Sequence, residues 1–312
     1  MPLVRVSRRS RRLLPPLVAA VVLLTGCGTD DRYAALDDIR PDADPPTATA
    51  DASTGTYTLD CGRNAERHLN ADNVVVAPGQ PNGAHHTHEY VGNLTTDHAS
   101  TDTTLAAGTT TCAEGDLSTY YWPVLRLTDR PGHDAHAPGG GEHGNTGEVL
   151  PPAGVQVRYT GSPVSKVVAL PGSTRLVTGD ASALTSGSGT AKWSCEGIPG
   201  HTDRYPRCEG RRVVRTFDFP GCWDGRNTDS TTHKSHTAPP APNGVCPTGF
   251  FPIPRLQLVV TYDVPEGRPY AIDSFPEQLR DPRTDHAMYI SVTPAPLMTK
   301  ITTCLNANRH CP

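Results

Sequence analysis

Short apolar runs alternate with polar positions along the chain, and glycine and proline cut them before any reaches helical length. Val155-Gln156-Val157-Arg158-Tyr159 is the plainest case: every second residue is apolar, as in a strand with one buried face. The same grounds predict strands at residues 73–76, 120–127, 166–170, 175–178, 191–195, 212–219, 256–262, 288–292 and 300–304. With 31 Pro and 29 Gly, no 3.6-residue period persists, which confines helix to a turn or two near residues 64–70. Many short strands between Gly/Pro turns predict an all-β fold, a single β-sandwich-like domain with long loops over residues 57–312. Two stretches read as insertions in it: the Gly/His-rich residues 130–148 and the Ser/Gly-rich residues 182–190.

The N-terminus changes this picture. Arg5, Arg8, Arg9, Arg11 and Arg12 precede a short apolar run that ends in Leu24-Thr25-Gly26-Cys27. That combination is the pattern of a lipoprotein signal over residues 1–26, with Cys27 as the lipidated residue. It predicts a protein held by lipid on the extracellular face of the cell membrane; the Arg-rich start does not decide between Sec and Tat export. Residues 27–56, rich in Asp, Ala, Pro and Thr, read as a disordered tether. Loss of residues 1–26 removes five Arg and no acid, moving the formal charge from −4 to −9, which argues against a nucleic-acid partner.

Nine cysteines agree with export. With Cys27 lipidated, eight remain: Cys61, Cys112, Cys195, Cys208, Cys222, Cys246, Cys304 and Cys311. Pairing between sequence neighbours closes modest loops and is the simplest of the 105 possibilities. No C-x-x-C occurs, so a thiolate zinc site is not expected.

Two histidine clusters carry the candidate chemistry. In Gly83-Ala84-His85-His86-Thr87-His88-Glu89-Tyr90, an extended backbone sets His86 and His88 on one side, a spacing suited to holding a divalent metal, with Glu89 or His85 as an outer partner or base. The other cluster, Cys222-Trp223-Asp224-Gly225 through His233-Lys234-Ser235-His236, offers two imidazoles, with Asp224, Asn227 and Asp229 to orient them. Asp224 beside Gly225 also suits a plain turn. Asp285-His286 is a thinner third candidate. Convergence would make His86, His88, His233, His236 and Asp224 catalytic candidates, with His86, His88 and His236 as metal ligands.

The ordered series Pro78-Gly79, His85-His86-Thr87-His88-Glu89-Tyr90-Val91-Gly92-Asn93, Ser118-Thr119-Tyr120-Tyr121-Trp122-Pro123, Trp193-Ser194-Cys195, Phe219-Pro220-Gly221-Cys222-Trp223-Asp224-Gly225, His233-Lys234-Ser235-His236, Cys246-Pro247 and Asp285-His286 resembles the DUF1996 family of secreted bacterial and fungal proteins. One departure is Asp285-His286-Ala287-Met288-Tyr289, which lacks a second acid common in the family at that point. The resemblance implies one extracellular β-rich domain and, through carbohydrate-binding modules joined to fungal members, a polysaccharide partner. Two functions follow as expectations. One is a His-lined cleft that binds or cleaves polysaccharide, with Trp122 or Trp223 as the stacking face. The other is a non-catalytic envelope scaffold or binding lipoprotein.

Overall fold

The computed structural model describes residues 1–3, 30–130 and 143–312. The signal run, Cys27 and most of the Gly/His-rich insertion lie outside the described residues. The chain divides into Met1–Asp30 and Asp31–Pro312, and the second unit holds every element below.

Its frame is two antiparallel sheets built from eleven strands: β1 Thr56–Leu59, β2 Leu69–Asn70, β3 His88–Gly92, β4 Thr119–Pro123, β5 Gly154–Thr160, β6 Arg175–Gly179, β7 Trp193–Cys195, β8 Val213–Asp218, β9 Arg255–Tyr262, β10 His286–Ile290 and β11 His310–Cys311. The six-stranded sheet runs β7-β8-β9-β5-β1-β11 and the five-stranded sheet β2-β3-β4-β10-β6; the short β11 pairs parallel to β1. Alternation along each strand decides what lies between them. Tyr159, Phe217 and Tyr262 of the larger sheet share one core with Val91, Tyr120, Trp122, Leu176 and Tyr289 of the smaller. Polar contacts pin the two sheets together: the Tyr120 and Tyr159 hydroxyls lie 3.0 Å apart, and Trp122 Nε1 donates to the Tyr262 hydroxyl at 2.9 Å. The expected all-β, two-sheet class is the one observed.

The smaller sheet is buried on both faces, which accounts for the uniform burial of β3, β4 and β10. On its outer face Tyr90, Tyr121, Val177, Met288 and Ile290 pack under Val74 and Val75. Those valines were expected in a strand. They lie instead in a turn, where Asn73 accepts from the Val76 amide through its side chain and from the Ala77 amide through its carbonyl. A capping Asn wins over β-propensity there.

Four other expectations are corrected. Residues 166–170 form no strand and residues 64–70 no helix. Residues 300–304 lie in the helix Ala295–Asn306, where Leu297, Met298, Ile301, Cys304 and Leu305 form one buried face at helical spacing behind two β-branched threonines. From Asp31 onward the supposed tether is part of the body. Tyr33–Ala34 pairs parallel with Tyr205–Pro206, and the Tyr33 hydroxyl donates to the Tyr270 carbonyl. A few apolar anchors (Tyr33, Ala34, Ile39) hold an otherwise polar segment.

The four disulfides are Cys61–Cys112, Cys195–Cys208, Cys222–Cys246 and Cys304–Cys311, the pairing of sequence neighbours.

Candidate metal centre

The outer face of the five-stranded sheet brings three histidines together. β3 and β4 are in register with His88 opposite Pro123. The β4–β10 register sets Met288 opposite Tyr121, and two residues further it sets His286 against the other side of Pro123. The two imidazoles therefore stand about two strand spacings apart, roughly 9–10 Å at Cα, and lean together over a small proline ring. His86 reaches the same point from the loop before β3. The Nε2 atoms of His86 and His88 are 3.1 Å apart, those of His86 and His286 3.3 Å, and those of His88 and His286 3.4 Å. The residues are 1%, 0% and 2% exposed.

The tautomers follow from their neighbours. His88 Nδ1 lies 2.9 Å from the Asp72 carbonyl and His286 Nδ1 2.8 Å from the Thr284 carbonyl. A carbonyl oxygen only accepts, so both Nδ1 atoms carry hydrogen and both Nε2 atoms present lone pairs to the centre. His86 Nδ1 is buried without a hydrogen-bond partner. Burial lowers the pKa of all three rings, with neighbouring imidazoles adding to it for His86 and His88; His88 is pushed down to about 3. All three are held neutral, the form that ligates metal.

Two buried Arg–Asp pairs fix the backbone that carries them. Arg126 donates to Asp273 at 2.7 and 3.0 Å and to the Thr87 hydroxyl at 3.3 Å, while Asp273 accepts from the Thr87 amide. Thr87 is the residue between His86 and His88. Arg215 donates to Asp285 at 3.0 and 2.6 Å and to the Pro123 carbonyl at 2.8 Å, and Asp285 accepts from the His286 amide at 3.0 Å. Pro123 is the residue between His88 and His286. Asp72, whose carbonyl orients His88, spends its carboxylate on the Asn82 and His98 amides and so closes the covering loop.

The other sequence candidates fall elsewhere. His236, expected as a ligand, directs Nε2 at the Arg175 carbonyl (2.7 Å) and Nδ1 at the Ser230 hydroxyl (3.0 Å), so both its nitrogens are engaged outside the trio. His233 is half-buried against Asp229. Asp224 accepts from the Arg226 and Asn227 amides and from the Asn227 side chain; it closes its own turn and orients no imidazole. Glu89 points to the inner face by strand alternation and accepts from Trp122 Nε1 and the Tyr262 hydroxyl, with burial pushing its pKa up to about 7. Trp122 is fully buried and offers no stacking face. Trp223 is half-buried, its Nε1 on the Asn227 carbonyl. The Asp285-His286 pair, the thinnest of the sequence signals, supplies the third imidazole.

Fold and site together define a disulfide-bonded, two-sheet β domain with a buried three-histidine centre. The model of the DUF1996 family, a domain of unknown function, matches residues 73–280, and the chain belongs to that family. His86 and His88 lie inside the matched span and His286 just beyond it. No curated protein and no solved structure matches the chain.

Proposed function

We propose that this domain binds one divalent transition-metal ion of the zinc class through Nε2 of His86, His88 and His286. The observation that carries the reading is the triangle of nitrogens. Zn–N bonds of about 2.0–2.1 Å at tetrahedral angles place ligand atoms roughly 3.3–3.4 Å apart, and right-angled geometry places them near 2.9 Å. The edges of 3.3 and 3.4 Å match the tetrahedral value, and the third, 3.1 Å, lies between the two geometries. Two lone pairs facing each other across 3.4 Å also call for a cation between them. The competing reading puts a proton on His86 Nε2, shared between the other two rings; His86 Nδ1 is buried without a partner in either reading, so metal content separates the two.

Burial shapes the role. A polysaccharide does not reach a centre whose three ligands are at most 2% exposed, so the metal serves the domain itself or a ligand of very small size. Export and a lipid anchor at Cys27 belong to the same proposal. Four disulfides suit an oxidising compartment and consume every other cysteine. Loss of fatty-acid labelling in Cys27→Ser tests the anchor; labelling retained in that variant overturns it.

The metal is tested by plasma mass spectrometry on protein purified oxidised and without chelator, and by refilling with Co²⁺. About one equivalent of metal, the intense visible bands of tetrahedral cobalt, and loss of both in His286→Ala are expected. Protein that takes up neither Zn²⁺ nor Co²⁺ refutes the reading.

A further inference from the structure

A buried centre has to be loaded from outside, and the structure holds a second pair of histidines at the surface beside it. His85 adjoins His86 but faces the other way. Its φ of 57° puts a left-handed kink between them, which leaves His85 exposed while His86 turns inward. The His143 ring, also exposed, stands 5.7 Å from the His85 ring at an interplanar angle of 72°. In the buried trio, ring centroids are 4.6, 5.2 and 5.6 Å apart with angles of 72° to 88°, and the surface pair lies just beyond the widest of these spacings. Two imidazoles on one ion at about 2.0–2.1 Å place their centroids roughly 4.5–5.2 Å apart, so the surface pair reaches ligating distance by closing about half an ångström, with half the coordination sphere left to water.

One side chain separates the two sets. The Phe275 ring lies 6.0 Å from His85 and packs edge-on against His86 at 5.2 Å. It is half-buried, with one side on the buried ring and the other toward solvent. It begins a short loop that turns back through Leu279 and Arg280, both at positive φ. Rotation of Phe275 moves a single ring, without breaking a backbone hydrogen bond of the sheet.

We propose that His85 and His143 form an outer, solvent-facing site for the same divalent ion, from which it passes beneath Phe275 to His86 and the buried centre. This rests on the metal reading of the trio. With two ligands the outer site binds weakly and exchanges fast; with three and no water around them the inner site holds tightly and exchanges slowly. Because His85 and His86 are consecutive residues, an ion can change ligands one at a time.

The test is rapid-mixing uptake of Co²⁺ by the full chain, read by its tetrahedral bands, and stripping by a chelator. In Phe275→Ala, uptake and stripping both quicken by roughly tenfold or more, with tight-site affinity nearly unchanged, as expected when a gate is removed. Phe275→Leu gives an intermediate rate and covers the case in which the alanine variant fails to fold. In His85→Ala/His143→Ala, uptake at low metal slows by about fivefold or more and a weak second equivalent disappears, while the tight equivalent remains. Uptake unchanged in the double variant, or unchanged in both Phe275 variants, overturns the loading route. Wild-type protein that binds no Co²⁺ at all fails the trio itself, an outcome seen before any variant is compared.

Discussion

The Arg215–Asp285 pair gives the sharpest prediction, through Asp285→Asn. Both side chains are buried, at 0% and 2% exposure. The guanidinium lies 5.2 to 5.7 Å from the ring centroids of Trp193, Phe217 and Tyr262. Burial alone lowers the Arg215 pKa, and the charge of Asp285 and its hydrogen bonds turn the net direction upward; without them the arginine still stays charged, because a guanidinium does not give up its proton in a protein. Asparagine keeps the shape and loses the charge, leaving a buried cation with neutral hydrogen-bond acceptors alone: the new amide oxygen, the Pro123 carbonyl and the Tyr262 hydroxyl. Breaking one side of such a pair costs about 3–5 kcal/mol. At roughly 2–4 °C per kcal/mol for a domain of this size, Tm falls by about 6–20 °C. The assay is calorimetry and denaturant unfolding with disulfides intact, beside Asp263→Asn, which removes the exposed partner of Arg212 and leaves the melting curve almost in place. A Tm loss in Asp285→Asn no larger than that of the surface control refutes the argument, because it means water reaches Arg215.

Three further outcomes are expected. Excess Zn²⁺ at about a thousandfold over Kd stabilises the fold by about 4 kcal/mol, so Tm rises by roughly 8–16 °C, and the rise disappears in His88→Ala; equal shifts in both proteins contradict the assignment. His236→Ala strands the Arg175 carbonyl and the Ser230 hydroxyl and costs about 1–3 kcal/mol in denaturant unfolding. Metal content stays the same, and loss of a full equivalent would restore His236 as a ligand. Replacing Cys61–Cys112, which closes 51 residues, by two alanines destabilises by roughly 4 kcal/mol, while Cys304–Cys311, closing 7, costs nearer 2.4. Denaturation midpoints in the reverse order would show that native-state strain, not loop closure, sets the effect.

How far the chain could be read depended on the range of the interaction involved. The pattern at residues 155–159 is local, and it becomes β5 with one residue added at each end. His86 and His88 were readable as a pair because they stand two residues apart, although extended strand begins only at His88 and His86 turns in from the loop before it. The third ligand was not, since His286 joins them only through the order β3-β4-β10, which no short-range pattern encodes. His236 had the better sequence context and the worse position: its ring meets the Arg175 carbonyl first. Residues 300–304 misled for the opposite reason. Two threonines and an isoleucine favour strand locally, and only the wider spacing of Leu297, Met298, Ile301 and Leu305 reveals a helix. Glu89 sat beside two histidines in sequence and faces away from them in space, again by alternation.

The two buried ion pairs also bear on whether the trio is built or accidental. A buried Arg–Asp pair adds little net stability over an apolar pair of equal volume, because desolvation offsets the attraction. The described residues keep two, and each grips the main chain beside a ligand: Arg126–Asp273 at Thr87, Arg215–Asp285 at Pro123 and His286. Packing alone would close a core over three neutral rings. Holding three Nε2 atoms within a few tenths of an ångström of a tetrahedral face needs the backbone itself fixed. We therefore read the pairs as positioning devices, and Arg126→Met/Asp273→Leu separates the two accounts. If they position, stability changes by no more than about 1–4 kcal/mol in either direction while metal affinity falls about 10–100-fold and the cobalt bands broaden. Unchanged affinity in a folded double variant would leave placement of the ligands to packing alone.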